Sequence, residues 1–247
     1  MSTSFKGPIT HAPISNQAPY KYRASMGMMP CAEFAILHDD FLLPFATNTT
    51  TGWSAIIDTG GTSITHLTAA TGANGVVAMT SDNVSEGAAL YGAKSWQLTS
   101  GKKLFIECRV QMDDVTDNNF QFGLSALTAV TNPEDLWTTV ATDLVTFGIG
   151  DGDSNPKMLV DKSNSGTSQQ VQTIKGMSAN TWTTLAIYYD GASIHGYVDG
   201  TYVMTWASAS TTIPTGTPLA LFVGHLIGNG AAPNTSLVDY IRVVSER

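Results

Sequence analysis

The stretch that decides the fold reads Trp182-Thr-Thr-Leu-Ala-Ile-Tyr-Tyr-Asp-Gly191, Ala192-Ser-Ile-His-Gly-Tyr-Val-Asp-Gly200 and Thr201-Tyr-Val-Met-Thr-Trp206. Its first part alternates, so that Leu185, Ile187 and Tyr189 share one face of a strand. The dipeptide Asp-Gly follows that strand and occurs again after Val198. Because Asp-Gly accepts the positive φ that a tight hairpin turn needs, the stretch predicts three consecutive antiparallel strands.

Further runs of β-forming residues flank this stretch on both sides. They cover residues 75–80, 103–112, 119–124, 144–149, 218–224 and 237–244, with turn-forming residues between them. One short helix is predicted from Asn132, a capping residue, to about Thr139, with Pro133 at its first position. Many short strands separated by turns predict an all-β protein, an antiparallel two-sheet jelly-roll sandwich.

The composition excludes several classes of protein. Only 13% of the residues are charged, the net charge is −8 and the pI is about 4.9. An acidic chain lacks the clustered Lys and Arg that phosphate contacts need, so we expect no nucleic-acid partner. We expect no membrane partner either, because no run approaches the roughly 20 apolar residues of a membrane span. The first residues lack the apolar run of a signal peptide.

The N-terminal segment, residues 1–37, differs from the rest of the chain. It contains Pro8, Pro13, Pro19 and Pro30, which disfavour both a helix and a central strand, and it has no acidic residue before Glu33. Its apolar groups need a surface to bury against, either on the body of this protein or on a neighbouring subunit. We therefore predict an extended docking arm whose contact residues are Phe5, Ile9, Ile14, Tyr20, Lys21, Tyr22, Arg23, Met26, Met28 and Met29.

The segments 182–191 and 195–200, together with Val238-Asp-Tyr-Ile-Arg-Val243, resemble the concanavalin A-like lectin/glucanase sandwich, including its laminin G-like members. Asp39-Asp-Phe-Leu42 resembles the first strand of many such domains. The resemblance covers residues 38–247 and implies one lectin-like β-sandwich. The arm in front of such a sandwich, with Phe5-Lys-Gly-Pro-Ile9, resembles small virion proteins of tailed bacteriophages that decorate or cement the capsid.

This second resemblance implies a virion structural protein that docks on the capsid surface through its arm and stabilises the shell. The expected partners are the major capsid protein and neighbouring copies of the chain, in a homodimer or homotrimer made in the host cytoplasm. A carbohydrate-binding module or phage adhesin, which would contact host surface glycans, is the alternative. A glycan hydrolase with an unrecognised site comes third.

The sequence carries no pattern of known catalytic chemistry. Glucanases of the resembling fold place paired acids on one strand as Glu-x-Asp-x-Glu or Glu-x-Asp-x-x-Glu, and none of the five glutamates of this chain lies in such a pattern. Glu107 precedes Arg109 by two residues, which predicts an exposed ion pair between them. We therefore expect a protein that is not an enzyme and needs no cofactor.

Three kinds of candidate site residue follow from the remaining patterns. Trp53 and Trp137 lie in loop-like stretches and are the candidate aromatic platforms for a sugar, whereas Trp182 and Trp206 are predicted to be core residues. Asp151, Asp153 and Asn155 place oxygen ligands at alternate positions and are weak calcium candidates, with a hydrogen-bonded polar turn as the alternative interpretation. Cys108 is predicted to be a buried thiol, and a disulfide with Cys31 is left open.

Overall fold

A computed structural model of the chain describes residues 34–39, 41, 53–58, 62–67, 75–127, 132–133, 143–150, 152–162, 168–171, 174–206, 212–228 and 233–246. These residues form fifteen strands: β1 Phe34–Asp39, β2 Trp53–Ile57, β3 Ser63–Leu67, β4 Val76–Ser81, β5 Gly87–Gln97, β6 Leu104–Met112, β7 Asn118–Ser125, β8 Leu144–Gly150, β9 Asp153–Asp161, β10 Ser168–Val171, β11 Thr183–Tyr189, β12 Ile194–Val198, β13 Thr201–Trp206, β14 Pro218–Ile227 and β15 Asn234–Glu246.

The strands form two antiparallel sheets. Sheet A has the order β13-β12-β11-β6-β15-β4-β3, and β1 joins it by pairing with β15. Sheet B has the order β10-β9-β8-β7-β14-β5-β2. β15 pairs with β6 along one edge, while its other edge pairs with β4 in the first half and with β1 in the second half. The predicted all-β, two-sheet sandwich is therefore confirmed.

The core lies between the two sheets and follows from the alternation in their strands. In β6 the side chains of Leu104, Ile106, Cys108, Val110 and Met112 point inward and are buried, as was predicted for Cys108. The Cys108 thiol is free, which answers the question that the sequence left open for it. Their inward neighbours across the core are Phe120, Phe122, Val145, Phe147 and Val223 of sheet B. Burial of these apolar rows from both sheets is the main favourable term for this fold.

The predicted hairpins are present where the sequence places them. β11, β12 and β13 follow one another in sheet A, and Val198 pairs with Thr201 across the two-residue turn Asp199-Gly200. Both turn residues have positive φ, 46° and 75°, which is the conformation that Asp-Gly favours. Asp199 Oδ1 also accepts a hydrogen bond of 2.8 Å from the Thr184 backbone N–H, so the turn is fixed to β11.

The described part of the expected arm differs from the prediction. Residues 34–37 were expected to belong to the arm, but they form β1 together with His38 and Asp39 and pair with β15. The predicted arm contacts Phe5, Ile9, Ile14, Tyr20, Lys21, Tyr22, Arg23, Met26, Met28 and Met29 all lie outside the described residues. Most of the predicted helix from Asn132 to Thr139 lies outside them as well. No helix in the part of the chain that the structure describes is long and apolar enough to cross a membrane.

Candidate functional site

A pocket of about 210 Å³ opens where one end of β5 meets the rim of the sandwich. Its walls come from both sheets, with Leu37 of β1 on one side and residues of β2, β5 and β14 on the other: Trp53, Gly92, Ala93, Ser95, Trp96 and Leu221. Two of these seven residues are tryptophans, and Ser95 is a polar group among them. The pocket is smaller than a typical drug-sized site of roughly 300 Å³ or more, so its size fits one small ring.

Two irregularities in β5 shape the pocket. In the pairing of β5 with β14, Tyr91 is opposite Phe222, Lys94 is opposite Ala220, and Trp96 is opposite Leu219. β5 therefore carries extra residues relative to β14 at two places within 91–96. A β-bulge bends its strand and re-aims the side chains around it, and bulges are common beside functional sites. The bulged segment includes the small residues Gly92 and Ala93, which leave the space that the pocket occupies.

Trp53 forms a fixed wall of this pocket. Its indole Nε1 donates a hydrogen bond of 2.7 Å to Asp39 Oδ2, and its ring centroid lies 6.3 Å from that of Phe41. Asp39 Oδ1 also accepts a 2.8 Å hydrogen bond from the backbone N–H of Phe41, which has a positive φ of 51°. The sequence placed Trp53 in a loop, and this is corrected: it begins β2, is only 6% exposed and packs into the core.

Trp96 is the accessible aromatic of the pocket, and the sequence did not single it out. It is half-buried near the end of β5 and packs against the edge of the core. The sequence signal was weak, because Trp96 lies in the polar segment Lys94-Ser-Trp-Gln97. Its position beside Trp53 depends on the bulges of β5. Trp137, the other predicted platform, lies outside the described residues.

The other tryptophans were predicted to be core residues. Trp206 is half-buried against the core, as predicted, and its Nε1 donates to Thr212 Oγ1 over 3.0 Å. Trp182 is half-buried, and the guanidinium of Arg109 lies 4.7 Å from its ring centroid. Since Arg109 and Trp182 form this cation–π contact, Trp182 is better described as a surface aromatic than as a core residue.

The calcium candidates form a hydrogen-bonded turn where the structure describes them. Asp153 Oδ1 accepts a 2.8 Å hydrogen bond from the Asn155 backbone N–H, and Asp151 lies outside the described residues. A second acidic loop is built alike: the Asp117 and Thr116 backbone N–H groups bond Asp114 Oδ1. These bonds outweigh partial burial and lower the pKa of Asp114. Within the described ranges no three His, Cys, Asp or Glu side chains come together as metal ligands would.

Glu107 does not form the predicted exposed pair with Arg109. Its carboxylate is only 3% exposed, and Oε1 accepts hydrogen bonds of 2.6 Å from Arg242 and 2.8 Å from the Tyr240 hydroxyl. Arg109 instead bonds Asp239 Oδ2 over 2.5 Å. The reason is the register of β15, which places Arg242 directly opposite Glu107. A buried carboxylate held by a cation in this way forms a structural ion pair.

The architecture is an antiparallel two-sheet jelly-roll sandwich of the concanavalin A-like type, and solved structures share this fold. The carbohydrate recognition domain of Emp47p matches 89% of this chain and 100% of its own, with 12% identity and a TM-score of 0.58. A β-glucanase of Bacillus licheniformis matches 84% of this chain and 97% of its own, with 15% identity and a TM-score of 0.54. An endo-β-1,4-glucuronan lyase from the fungus Trichoderma reesei matches 84% of this chain and 94% of its own, with 12% identity and a TM-score of 0.57. No family model and no curated protein matches the sequence.

These comparisons correct the expectation that the chain is not an enzyme. That expectation rested on the absence of a Glu-x-Asp-x-Glu pattern, yet the proteins that share the fold include a transglycosylase, two glucanases and a lyase. At 12–16% identity the likeness shows the fold and leaves the site residues free to differ. The absence of one family's motif therefore does not exclude an enzyme of this fold.

Proposed function

We propose that the protein binds a glycan and that the pocket between Trp53 and Trp96 holds one sugar ring of it. The observation that carries this proposal is the meeting of two indole side chains in one pocket beside the hydroxyl of Ser95. The apolar C–H face of a pyranose packs on an aromatic ring, and nearby polar groups fix its orientation through hydrogen bonds. The preformed hydrogen bond between Trp53 and Asp39 keeps one wall rigid, which reduces the entropy lost on binding.

The structurally similar proteins support a glycan as the ligand class. They include a carbohydrate recognition domain, β-glucanases and a glucuronan lyase, which all recognise or act on carbohydrate. This support is an analogy at the level of fold, and the fold hosts many different sites. The proposal therefore depends on the pocket.

A glycan array with wild-type protein and Trp96→Ala tests the proposal. Because Trp96 is half-buried near a strand end, its truncation should leave the sandwich folded, whereas truncation of the buried Trp53 would disturb the core. We expect roughly a tenfold loss of affinity, which corresponds to about 1.4 kcal/mol for one aromatic contact. Trp206→Ala is the matched control, since Trp206 is also half-buried against the core but does not line the pocket. Equal binding by wild type and Trp96→Ala would contradict the proposal.

Activity is tested in the same preparations. Oligosaccharides and polysaccharides that bind on the array are incubated with the protein, and new reducing ends or unsaturated products are measured. Turnover that falls in Trp96→Ala would make the pocket a substrate subsite of an enzyme. Turnover that is unchanged in Trp96→Ala would place the chemistry elsewhere and contradict this pocket as the site.

The capsid-decoration role stays a prediction from the sequence. Its contact residues belong to residues 1–33, which lie outside the described part of the chain. The same holds for the expected capsid partner, the homo-oligomer and the virion location. Deletion of residues 2–30 tests this role: it should abolish association with capsids, and a truncated protein that still decorates them would overturn it.

A further inference from the structure

A run of four aromatic rings crosses the outer face of sheet A on strands β11, β12 and β13. The ring centroids are 5.9 Å apart for Tyr188 and His195, 6.3 Å apart for His195 and Tyr202, and 5.8 Å apart for Tyr202 and Tyr197. Tyr188 and Tyr197 are buried, whereas Tyr202 on the edge strand β13 is 41% exposed. Tyr202 is thus an exposed aromatic ring supported by aromatic neighbours.

A chain of hydrogen bonds holds Tyr202 in place. The Tyr202 hydroxyl lies 2.6 Å from Thr205 Oγ1, which lies 2.8 Å from His195 Nδ1. His195 Nε2 in turn lies 3.0 Å from Asp190 Oδ2. The other oxygen of this carboxylate, Oδ1, accepts the backbone N–H groups of Ala192 and Ser193 at 2.8 and 2.7 Å. The chain therefore begins at a turn whose carboxylate is already fixed.

The direction of these hydrogen bonds follows from Asp190. Burial opposes its charge, but the bonds from Ser193, His195 and Ala192 outweigh burial and lower the pKa of Asp190. An ionised carboxylate only accepts, so His195 donates from Nε2 to Asp190 Oδ2. Whichever of the Thr205 and Tyr202 hydroxyls donates to the other, the Tyr202 oxygen keeps a lone pair for a ligand.

The groups that face solvent in this cluster are therefore acceptors. They are the phenolic oxygen of Tyr202 and the unused lone pairs of Asp190, whose side chain is 37% exposed. A ligand that suits them offers a flat apolar face to the ring and hydroxyl groups as donors. The ammonium group of Lys175 lies 2.7 Å from Asp199 Oδ2 on the neighbouring turn. It is therefore already paired with a carboxylate. An anionic ligand would be repelled by the negative charge of the Asp190 carboxylate.

We propose that the cluster of Tyr202, Thr205, His195 and Asp190 is a second glycan-binding site, specific for a neutral pyranose that stacks on Tyr202 and donates hydroxyl hydrogen bonds to Tyr202 and Asp190. This site shares no residue with the Trp53–Trp96 pocket. A long neutral polysaccharide could engage both sites, which raises avidity without a new contact in either.

Affinity electrophoresis in gels that contain a soluble polysaccharide tests the proposal. Wild type, Tyr202→Ala, Tyr202→Phe, Trp96→Ala and Trp182→Ala are run through neutral β-glucan and xylan and through acidic alginate. Loss of one stacking contact of about 1 kcal/mol predicts roughly a fivefold weaker retardation of Tyr202→Ala in the neutral gels. Tyr202→Phe keeps the ring and loses the acceptor, so its retardation falls by less. Trp182→Ala is the control, because Trp182 is another half-buried surface aromatic but lies outside the cluster.

The outcomes separate this proposal from the proposed function. Equal retardation of wild type and Tyr202→Ala, with a loss in Trp96→Ala, overturns the second site and leaves the pocket standing. The opposite result overturns the pocket and supports the second site. Retardation only in alginate overturns the assignment to neutral glycans, and absence of retardation in every gel overturns the second site. Array binding of short oligosaccharides that Trp96→Ala abolishes would still support the pocket in that last case.

Discussion

His225 makes the stability of the sandwich depend on pH, because its pKa differs between the folded protein and the unfolded chain. It lies on β14 of sheet B, is fully buried, and its Nδ1 lies 2.8 Å from Ser236 Oγ on β15 of sheet A. The pair therefore joins the two sheets across the core. Burial lowers the pKa of His225 from the ordinary 6.5 to about 4, although a backbone contact with Asn234 opposes the shift.

The sign of the effect follows from proton binding. Because the pKa is lower in the folded protein than in the unfolded chain, the unfolded chain binds more protons between these two values. The stability that neutral, buried His225 contributes to the folded state is therefore fully present above the pKa of the unfolded chain and is lost as the pH falls toward about 4. The difference between the two pKa values corresponds to roughly 3 kcal/mol of stability in total. Roughly 2 kcal/mol of this is lost between about pH 7 and about pH 5.

Urea unfolding of wild type and His225→Gln at about pH 7 and about pH 5 measures this contribution. Glutamine can still bond Ser236 but does not titrate, so the variant should lose roughly 2 kcal/mol less than wild type over the same interval. The comparison removes the contribution of the carboxylates, which both proteins share. Parallel losses in the two proteins would refute the assignment of this pH dependence to His225.

Two further predictions concern buried groups. Glu107→Gln should lower the free energy of unfolding in urea by roughly 3 kcal/mol, because it leaves the mostly buried Arg242 charge without its carboxylate. Asp239→Asn removes the carboxylate from the more exposed pair with Arg109 and should cost less than roughly 1 kcal/mol. Equal losses in the two variants would contradict the argument from burial. Burial raises the pKa of the Cys108 thiol, so a thiol reagent should react with Cys108 only after urea unfolding, measured in a Cys31→Ser variant. Rapid labelling of the native protein would instead show that the core opens at Cys108.

Local sequence signals predicted the parts of the fold that local chemistry determines. The alternation in 182–189 predicted which side chains of β11 share one face, and that face lies in the core. The Asp-Gly dipeptide at 199–200 predicted a tight turn with positive φ. Cys108 was identified as a core residue because its neighbours at every second position are apolar. Each of these features is determined by a few residues that are close together in the sequence.

Features that depend on pairing between distant strands were missed. The partner of Glu107 is Arg242 because β15 pairs with β6 in one particular register, and no residue near Glu107 in the sequence indicates that register. The pocket likewise depends on where β5 bulges against β14, so Trp96 gave no signal, and Trp53 was assigned to a loop. The hydrogen-bonded chain from Asp190 to Tyr202 joins one turn with the strands β12 and β13, and only the folded hairpins provide their alignment.

The position of β15 has a consequence for how the chain can fold during synthesis. β15 lies in the middle of sheet A, and Phe34 pairs with Glu246, which is separated from it by nearly the whole described chain. Until Asn234–Glu246 has left the ribosome, β6 and β4 have no strand between them and β1 has no partner in the sheet. The nascent chain therefore exposes unpaired strand edges until β15 has emerged, and the high contact order of this pairing predicts slow folding.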